Sequence, residues 1–350
     1  MIDVLKVIIP SVLTFFLGIL ITPFFTNFFY KYKMWKKSPR TEANITTDDF
    51  AKVHNTKGEL STPRVGGVII WVSVLLTVFI IFLLSIIFPT EFIKKLNFFS
   101  RSQTLIPLAT LLLASLIGLA DDILQIIGKG SYAKDGLFYR KIKIVAVSFI
   151  GLAISFWFYY KLDMASVYLP FWGDINLGLW FIPFFIIVML AVFSTSVIDG
   201  IDGLAGGIMT IIFTAYSIIA FVNHQIDISA LCAVIAGATL VFLWFNIPPA
   251  RFYLGETGIL GLTITLSVIA FMTNSVLILP IIALPLVLTS ASVIIQMISY
   301  KYFNKHRVFR VAPLHHHFEA IGWSKEKVVM RYWIVGIVFA IIGVIIMLVG

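Results

Sequence analysis

One cysteine in 350 residues, Cys232, leaves no internal disulfide to be formed; in its apolar run it reads as a small packing side chain. Charge is scarce too. Only 12% of the residues are Asp, Glu, Lys or Arg, about half the share of a soluble domain, while 60% are hydrophobic. That balance excludes an ordinary soluble fold. Segments of about ten residues with alternating polarity, the mark of a membrane β-barrel, are missing. So are an internal repeat of fixed period, a low-complexity segment, and a polar stretch long enough for a second, soluble domain. The first apolar run is too long for a signal-peptide core and has no small-residue cleavage pattern, so it reads as a retained span.

What is there is a set of apolar runs, each near the roughly 20 residues that cross a bilayer. They fall at 4–26, 66–89, 104–120, 144–160, 178–198, 205–222, 229–246, 258–273, 277–299 and 332–350. The reading is an all-α polytopic membrane protein of about ten helices, one membrane-embedded domain over 1–350, with both termini on the same side. The odd-numbered connections, 27–65, 121–143, 199–204, 247–257 and 300–331, carry 8, 5, 0, 1 and 7 of the 26 Lys and Arg residues. The four even-numbered ones carry 4 between them, and Lys6 lies in the first span. Positive charge stays on the cytoplasmic side, so the odd connections are expected inside and both termini outside. The formal net charge of +9 is therefore topogenic and calls for no nucleic acid, with a secondary pull on membrane lipid heads or an anionic substrate.

Carboxylates are few, 17 in all, yet several gather at span ends on that same inner side. "GLADDILQ" puts Asp121 and Asp122 at the end of the third span, "SVIDGIDGLAGG" puts Asp199 and Asp202 between the fifth and sixth, and "RFYLGETG" puts Glu256 at the start of the eighth. Charges at a membrane edge are costly and usually functional. Hard oxygen donors in this number suggest Mg²⁺ bridged to substrate phosphates. On a helical turn Asp199 and Asp202 would share a face, whereas Asp121 and Asp122 diverge by about 100°. Gly200, Gly203, Gly206 and Gly207 read either as close helix packing or as room for a phosphate. In "HNTKGELSTPRVGG", His54, Lys57, Thr62, Arg64 and the Gly66–Gly67 pair suggest an anion cradle at a helix start.

Three of the six histidines are consecutive, His315 to His317, in "APLHHHFE" of the last inner connection. Zinc usually takes spaced ligands, so imidazoles reaching phosphate or sugar fit the run better. From Arg307 to Ile334, "RVFRVAPLHHHFEAIGWSKEKVVMRYWI" resembles the histidine loop of the phospho-N-acetylmuramoyl-pentapeptide transferases. "STPRVGG", "DDILQ", "DGIDGLAGG" and "FNIPPARFYLGETG" resemble further motifs of that family in the same order. The likeness covers essentially the whole chain. Several motifs are common to the wider superfamily that transfers sugar 1-phosphates to polyprenyl phosphate, and the triple histidine points to the peptidoglycan branch.

The resemblance implies Mg²⁺-dependent transfer of phospho-N-acetylmuramoyl-pentapeptide from its UDP nucleotide to undecaprenyl phosphate, giving lipid I and UMP. It implies a bacterial cytoplasmic membrane, an active site on the cytoplasmic face, and a possible homodimer. By position it casts Asp121, Asp122, Asp199, Glu256 and His315 as catalytic, with Asp199 and Glu256 holding metal. Lys57 and Thr62 fall to the nucleotide pocket, Asp202 near uracil, Tyr253 on the uracil ring and Asn246 near the diphosphate. Ser196, His316, His317 and a lysine, Lys141 or Lys143, complete the substrate contacts, with Lys141 the first choice. Three departures stand out: Glu256 replaces the family's aspartate, Ser196 an asparagine and Gln125 a lysine. The competing readings are a GlcNAc-1-phosphate transferase on the same lipid, which the histidine run argues against, and a non-catalytic homologue. A lipid or nucleotide transporter would place charge near the bilayer midplane and show inverted repeats.

Overall fold

The computed structural model describes residues 1–37, 60–129 and 136–350, the side chains of 136 and 137 excepted. Among the described residues ten helices are long and apolar enough to cross a membrane. They are α1 (Ile2–Lys31), α2 (Gly67–Ile87), α3 (Leu105–Ile126), α4 (Gly136–Lys161), α5 (Phe181–Ser194), α6 (Leu204–Val222), α7 (Ile226–Asn246), α8 (Gly255–Met272), α9 (Leu284–Tyr302) and α10 (Lys325–Val349). Among the described residues, the other elements are short helices and a hairpin between α4 and α5, β1 (Ser166–Leu169) against β2 (Gly173–Asn176).

Apolar runs mark these helices because backbone polar groups in hydrocarbon must be satisfied within the segment. What the runs understate is how far the helices continue. The connection expected over 121–143 is largely helical, since α3 carries on through Asp121, Asp122 and Gln125 and α4 starts at Gly136. Asp199 and Asp202 lie on no helical turn. They occupy a tight link between a 3₁₀ turn, Thr195–Ile198, and α6. The ninth run breaks near Pro280 and Pro285 into a short helix, Leu279–Ile282, and α9.

The axis of the bundle is α8, whose residues from Gly255 to Phe271 are all buried. Small residues let its neighbours approach it. A side chain at Gly118 of α3 would collide with the Glu256 carbonyl, and one at Gly67 of α2 with the Gly258 backbone. Polar ties lace the interior: Thr14 to Thr77 at 2.9 Å joins α1 to α2, and Thr257 to the Ser115 carbonyl at 2.9 Å joins α8 to α3. By contrast α1 and α10 turn long rows of apolar side chains outward, Phe16, Leu20 and Phe24 among them, as lipid-facing helices do. The start of α1 and the last residue sit with even-numbered connections: Lys6 pairs with Asp227 at 2.5 Å, and the Gly350 carbonyl accepts the Tyr168 hydroxyl at 2.6 Å. Both termini thus lie at the end of the bundle opposite the carboxylates.

Candidate active site

The carboxylates converge on the first turn of α8. Gly255, at φ +70°, swings the chain into that helix in a conformation that a side chain would strain. A side chain there would also collide with the Arg64 carbonyl. The leading N–H groups of α8 have no partners within the helix, and acidic side chains take them. The Asp122 carboxylate accepts from Glu256 N–H at 3.1 Å and Thr257 N–H at 2.9 Å, and Asp199 accepts from Gly255 N–H. The positive end of the helix dipole stabilises both carboxylates. Arg64 lies close enough to Asp122 and Asp199 to add its charge.

Asp121 and Asp122, one residue apart, point to different tasks. Asp122 is wholly buried, and its carboxylate caps the start of α8. Asp121 faces a buried ionic cluster. Lys143 Nζ lies 3.1 Å from Asp121 Oδ2 and 3.0 Å from Glu256 Oε1, and Gln125 Nε2 donates to Asp121 Oδ2 at 2.8 Å. Of the two lysines left open, Lys143 and not Lys141 faces this cluster. Two residues on a helix turn by about 200°, so with Lys143 facing inward Lys141 is exposed on the outer side of α4. Glu256 keeps one oxygen, Oε2, buried and without a hydrogen-bond partner among the described residues.

The first inner connection meets the fourth through backbone bonds: Tyr253 N–H to the Pro63 carbonyl at 2.8 Å, Gly66 N–H to Tyr253 at 2.9 Å and Gly67 N–H to Leu254 at 2.9 Å. The anion cradle expected at the start of α2 is therefore closed, because its amides are bonded to protein carbonyls. Thr62 and Tyr253 flank this seam, both partly buried, while Lys57 and His54 lie outside the described residues. Asn246 likewise serves the frame. Its Oδ1 accepts from Gly203 N–H at 2.7 Å and its Nδ2 donates to the Phe252 carbonyl at 2.9 Å, clamping the Asp199–Gly203 link to the chain ahead of α8. Asp202 Oδ2 accepts from Ala250 N–H at 3.4 Å, and burial raises its carboxyl against the pull of that bond and of Lys325. Ser196, partly buried, lends its carbonyl to Asp199 N–H at 3.3 Å.

The histidines ride a helix of their own, Leu314–Ala320, and have three settings. His315 is fully buried, with neither ring nitrogen bonded among the described residues, and its ring rests on Gly200, where a side chain would displace it. Burial and the adjacent His316 push its pKa well below the usual range, so the imidazole is neutral near pH 7. His316 Nδ1 meets Glu319 Oε2 at 2.6 Å, and His317 Nδ1 accepts from Arg310 N–H at 3.2 Å, which engages His317 in shaping the loop. This end of the bundle thus joins Asp121, Lys143 and Glu256 directly, Asp199 through its electrostatic influence on Glu256, and His315 through the Gly200 turn.

Among the described residues no three His, Cys, Asp or Glu side chains are grouped to enclose an ion. A divalent cation at Asp199 and Glu256 would then complete its shell with phosphate and water oxygens, as Mg²⁺ commonly does. The unpartnered Glu256 Oε2 and the all-oxygen donor set fit such an ion.

Residues 104–274 match the family described as glycosyl transferase family 4. Curated relatives align over nearly the full length. The phospho-N-acetylmuramoyl-pentapeptide-transferase of Chloroflexus aurantiacus is 31% identical, covering 98% of this chain and 89% of the relative. Those of a Geobacillus species and of Bacillus anthracis are 34% and 32% identical, each covering 96% of both chains. The chain is therefore a multi-pass membrane transferase belonging to the phospho-N-acetylmuramoyl-pentapeptide-transferase family.

Proposed function

We propose that the protein transfers phospho-N-acetylmuramoyl-pentapeptide from UDP to undecaprenyl phosphate, with Mg²⁺, at the cytoplasmic face of a bacterial cytoplasmic membrane. A phosphate oxygen of the lipid attacks the β-phosphorus of the nucleotide sugar, the bond between the α- and β-phosphates breaks, and UMP leaves with the bridging oxygen. The observation that carries this reading is the meeting of Asp121, Asp199, Glu256, Lys143 and His315 at one end of an otherwise apolar bundle. The inner-side assignment follows from the 21 Lys and Arg residues of the connections at that end.

Asp199 and Glu256 hold the metal in this scheme, and the bound Mg²⁺ supplies the positive charge that lets two phosphates approach. Lys143 sits between Asp121 and Glu256, within reach of a phosphate oxygen held there. Asp121, the member of its pair turned to Lys143, orients the lipid phosphate. His315, neutral, donates one N–H to the diphosphate, a group prepared for the moment negative charge shifts. Asp122 and Asn246 keep the first turn of α8 and the Asp199–Gly203 link in register.

Purified protein with Mg²⁺ and polyprenyl phosphate is expected to release UMP from UDP-N-acetylmuramoyl-pentapeptide, to ignore UDP-GlcNAc, and to stop with EDTA. Release from UDP-GlcNAc alone would move the protein to the competing transferase class.

The reaction should also depend on pH in a particular direction. Burial pushes the Asp199 carboxyl from 3.8 up to about 6, opposed by Arg64 and reinforced by Glu256 and Asp202. A carboxyl whose pKa is raised on folding binds its proton more tightly in the folded state, so its contribution to stability is lost as pH rises from about 4 to about 6. Cation binding needs the ionised form, which in the folded protein grows on either side of about pH 6. Turnover should rise through about pH 6 while the ligand-free protein becomes less stable. A flat rate profile from pH 5 to 7 would exclude an ionising Asp199 from the reaction.

A further inference from the structure

Of the buried polar side chains of α9, three, Ser292, Gln296 and Ser299, turn to the connection that follows the helix. Their spacing of four and three residues puts them on one face of the helix. Each bonds the connection that follows α9. Gln296 grips a single residue from both sides, its Nε2 donating to the Phe309 carbonyl at 3.1 Å and its Oε1 accepting Phe309 N–H at 3.0 Å. Ser299 donates to the His306 carbonyl at 3.0 Å. Ser292 accepts from Leu314 N–H at 2.9 Å, at the first residue of the histidine helix. The segment tied down in this way, 306–314, ends one residue before His315.

His315 depends on that segment for its place. Its own ring nitrogens have no hydrogen-bond partner among the described residues, so nothing polar on the ring fixes its position. Its seat against the Gly200 turn is set by the backbone that carries it. Errors of about 1 Å in such placements are costly to catalysis.

We infer that the Ser292–Gln296–Ser299 face of α9 is a positioning seam for the histidine helix, with Gln296 its central tie. It acts by holding His315 against the Asp199–Gly203 link, and for its effect on turnover it rests on the transferase reading above.

The test compares wild type with Gln296→Leu, which removes both bonds at similar volume, and with Ser292→Ala, which removes one. In Gln296→Leu the kcat for UMP release should fall roughly tenfold, with both KM values within about twofold. A second readout needs no activity: carbethoxylation by diethyl pyrocarbonate, followed residue by residue by mass spectrometry on ligand-free protein. His315 should be protected in wild type and become reactive in Gln296→Leu, against exposed His306 as reference, with a smaller change in Ser292→Ala. If His315 stays protected in folded Gln296→Leu, whether or not activity falls, the seam does not position it. If Gln296→Leu does not fold, Ser292→Ala decides on the same readout. If wild type releases no UMP while His315 is unmasked in the variants, the seam stands and the transferase reading falls.

Discussion

Asp199→Asn is expected to lower UMP release about a thousandfold, equivalent to about 4 kcal/mol of barrier, while the protein stays folded. The amide keeps the volume of the carboxyl, and its Oδ1 can still accept Gly255 N–H, so the entry into α8 is preserved. What is lost is the negative charge between Arg64 and the α8 helix start, the charge that in the proposed scheme draws a cation toward Glu256. Removing one well-placed electrostatic group from an enclosed site commonly costs a hundredfold to a thousandfold in rate, and a metal ligand belongs at the upper end. Thermal stability should hold or rise slightly, because a carboxylate that burial disfavours has been replaced by a neutral group. Turnover within tenfold of wild type at saturating Mg²⁺ would remove Asp199 from the metal site.

The architecture was legible because a bilayer imposes one rule on every span, and ten apolar runs obey it. The chemistry was legible by residue type and less so by role. Hydropathy stops at Ala120, but α3 does not: Asp121, Asp122 and Gln125 end the apolar run without ending the helix. Asp122 then reads as one of a reactive pair, although its two oxygens bond the backbone of a residue pair more than 130 positions away. The Gly66–Gly67 step has the composition of an anion cradle, and only the tertiary pairing with Tyr253 and Leu254 closes it. Lys141 and Lys143 differ by a rotation that depends on where α4 begins and which way it faces. The hairpin at 166–176 has strands of four residues each, too short for alternation to register. A further signal lies in α9. Ser292, Gln296 and Ser299 are three polar residues at helical spacing inside a span, a pattern that membranes tolerate only where partners are provided.

Lys143→Met should be the most damaging single change outside the metal ligands, and Lys141→Met close to silent. Lys143 is 8% exposed and its ammonium lies between Asp121 and Glu256, at 3.1 and 3.0 Å. Deleting it leaves two carboxylates buried around one spot with no cation between them. Breaking a buried ion pair from one side costs about 3–5 kcal/mol, and the two like charges would push apart or draw in water. Either response removes the charge pattern that Glu256 needs to bind a metal. The thermal midpoint is therefore expected to fall by about 5 °C, and UMP release by more than a hundredfold. Lys141, exposed on the far side of the same helix, should change stability by less than about 0.5 kcal/mol. The double variant Lys143→Met/Glu256→Gln separates the two effects. Neutralising one carboxylate should restore much of the lost stability and none of the activity, a coupling that a double-mutant cycle reads directly. Equal damage from Lys141→Met and Lys143→Met, or full activity in the double variant, would show that the lysine between Asp121 and Glu256 does not organise the site.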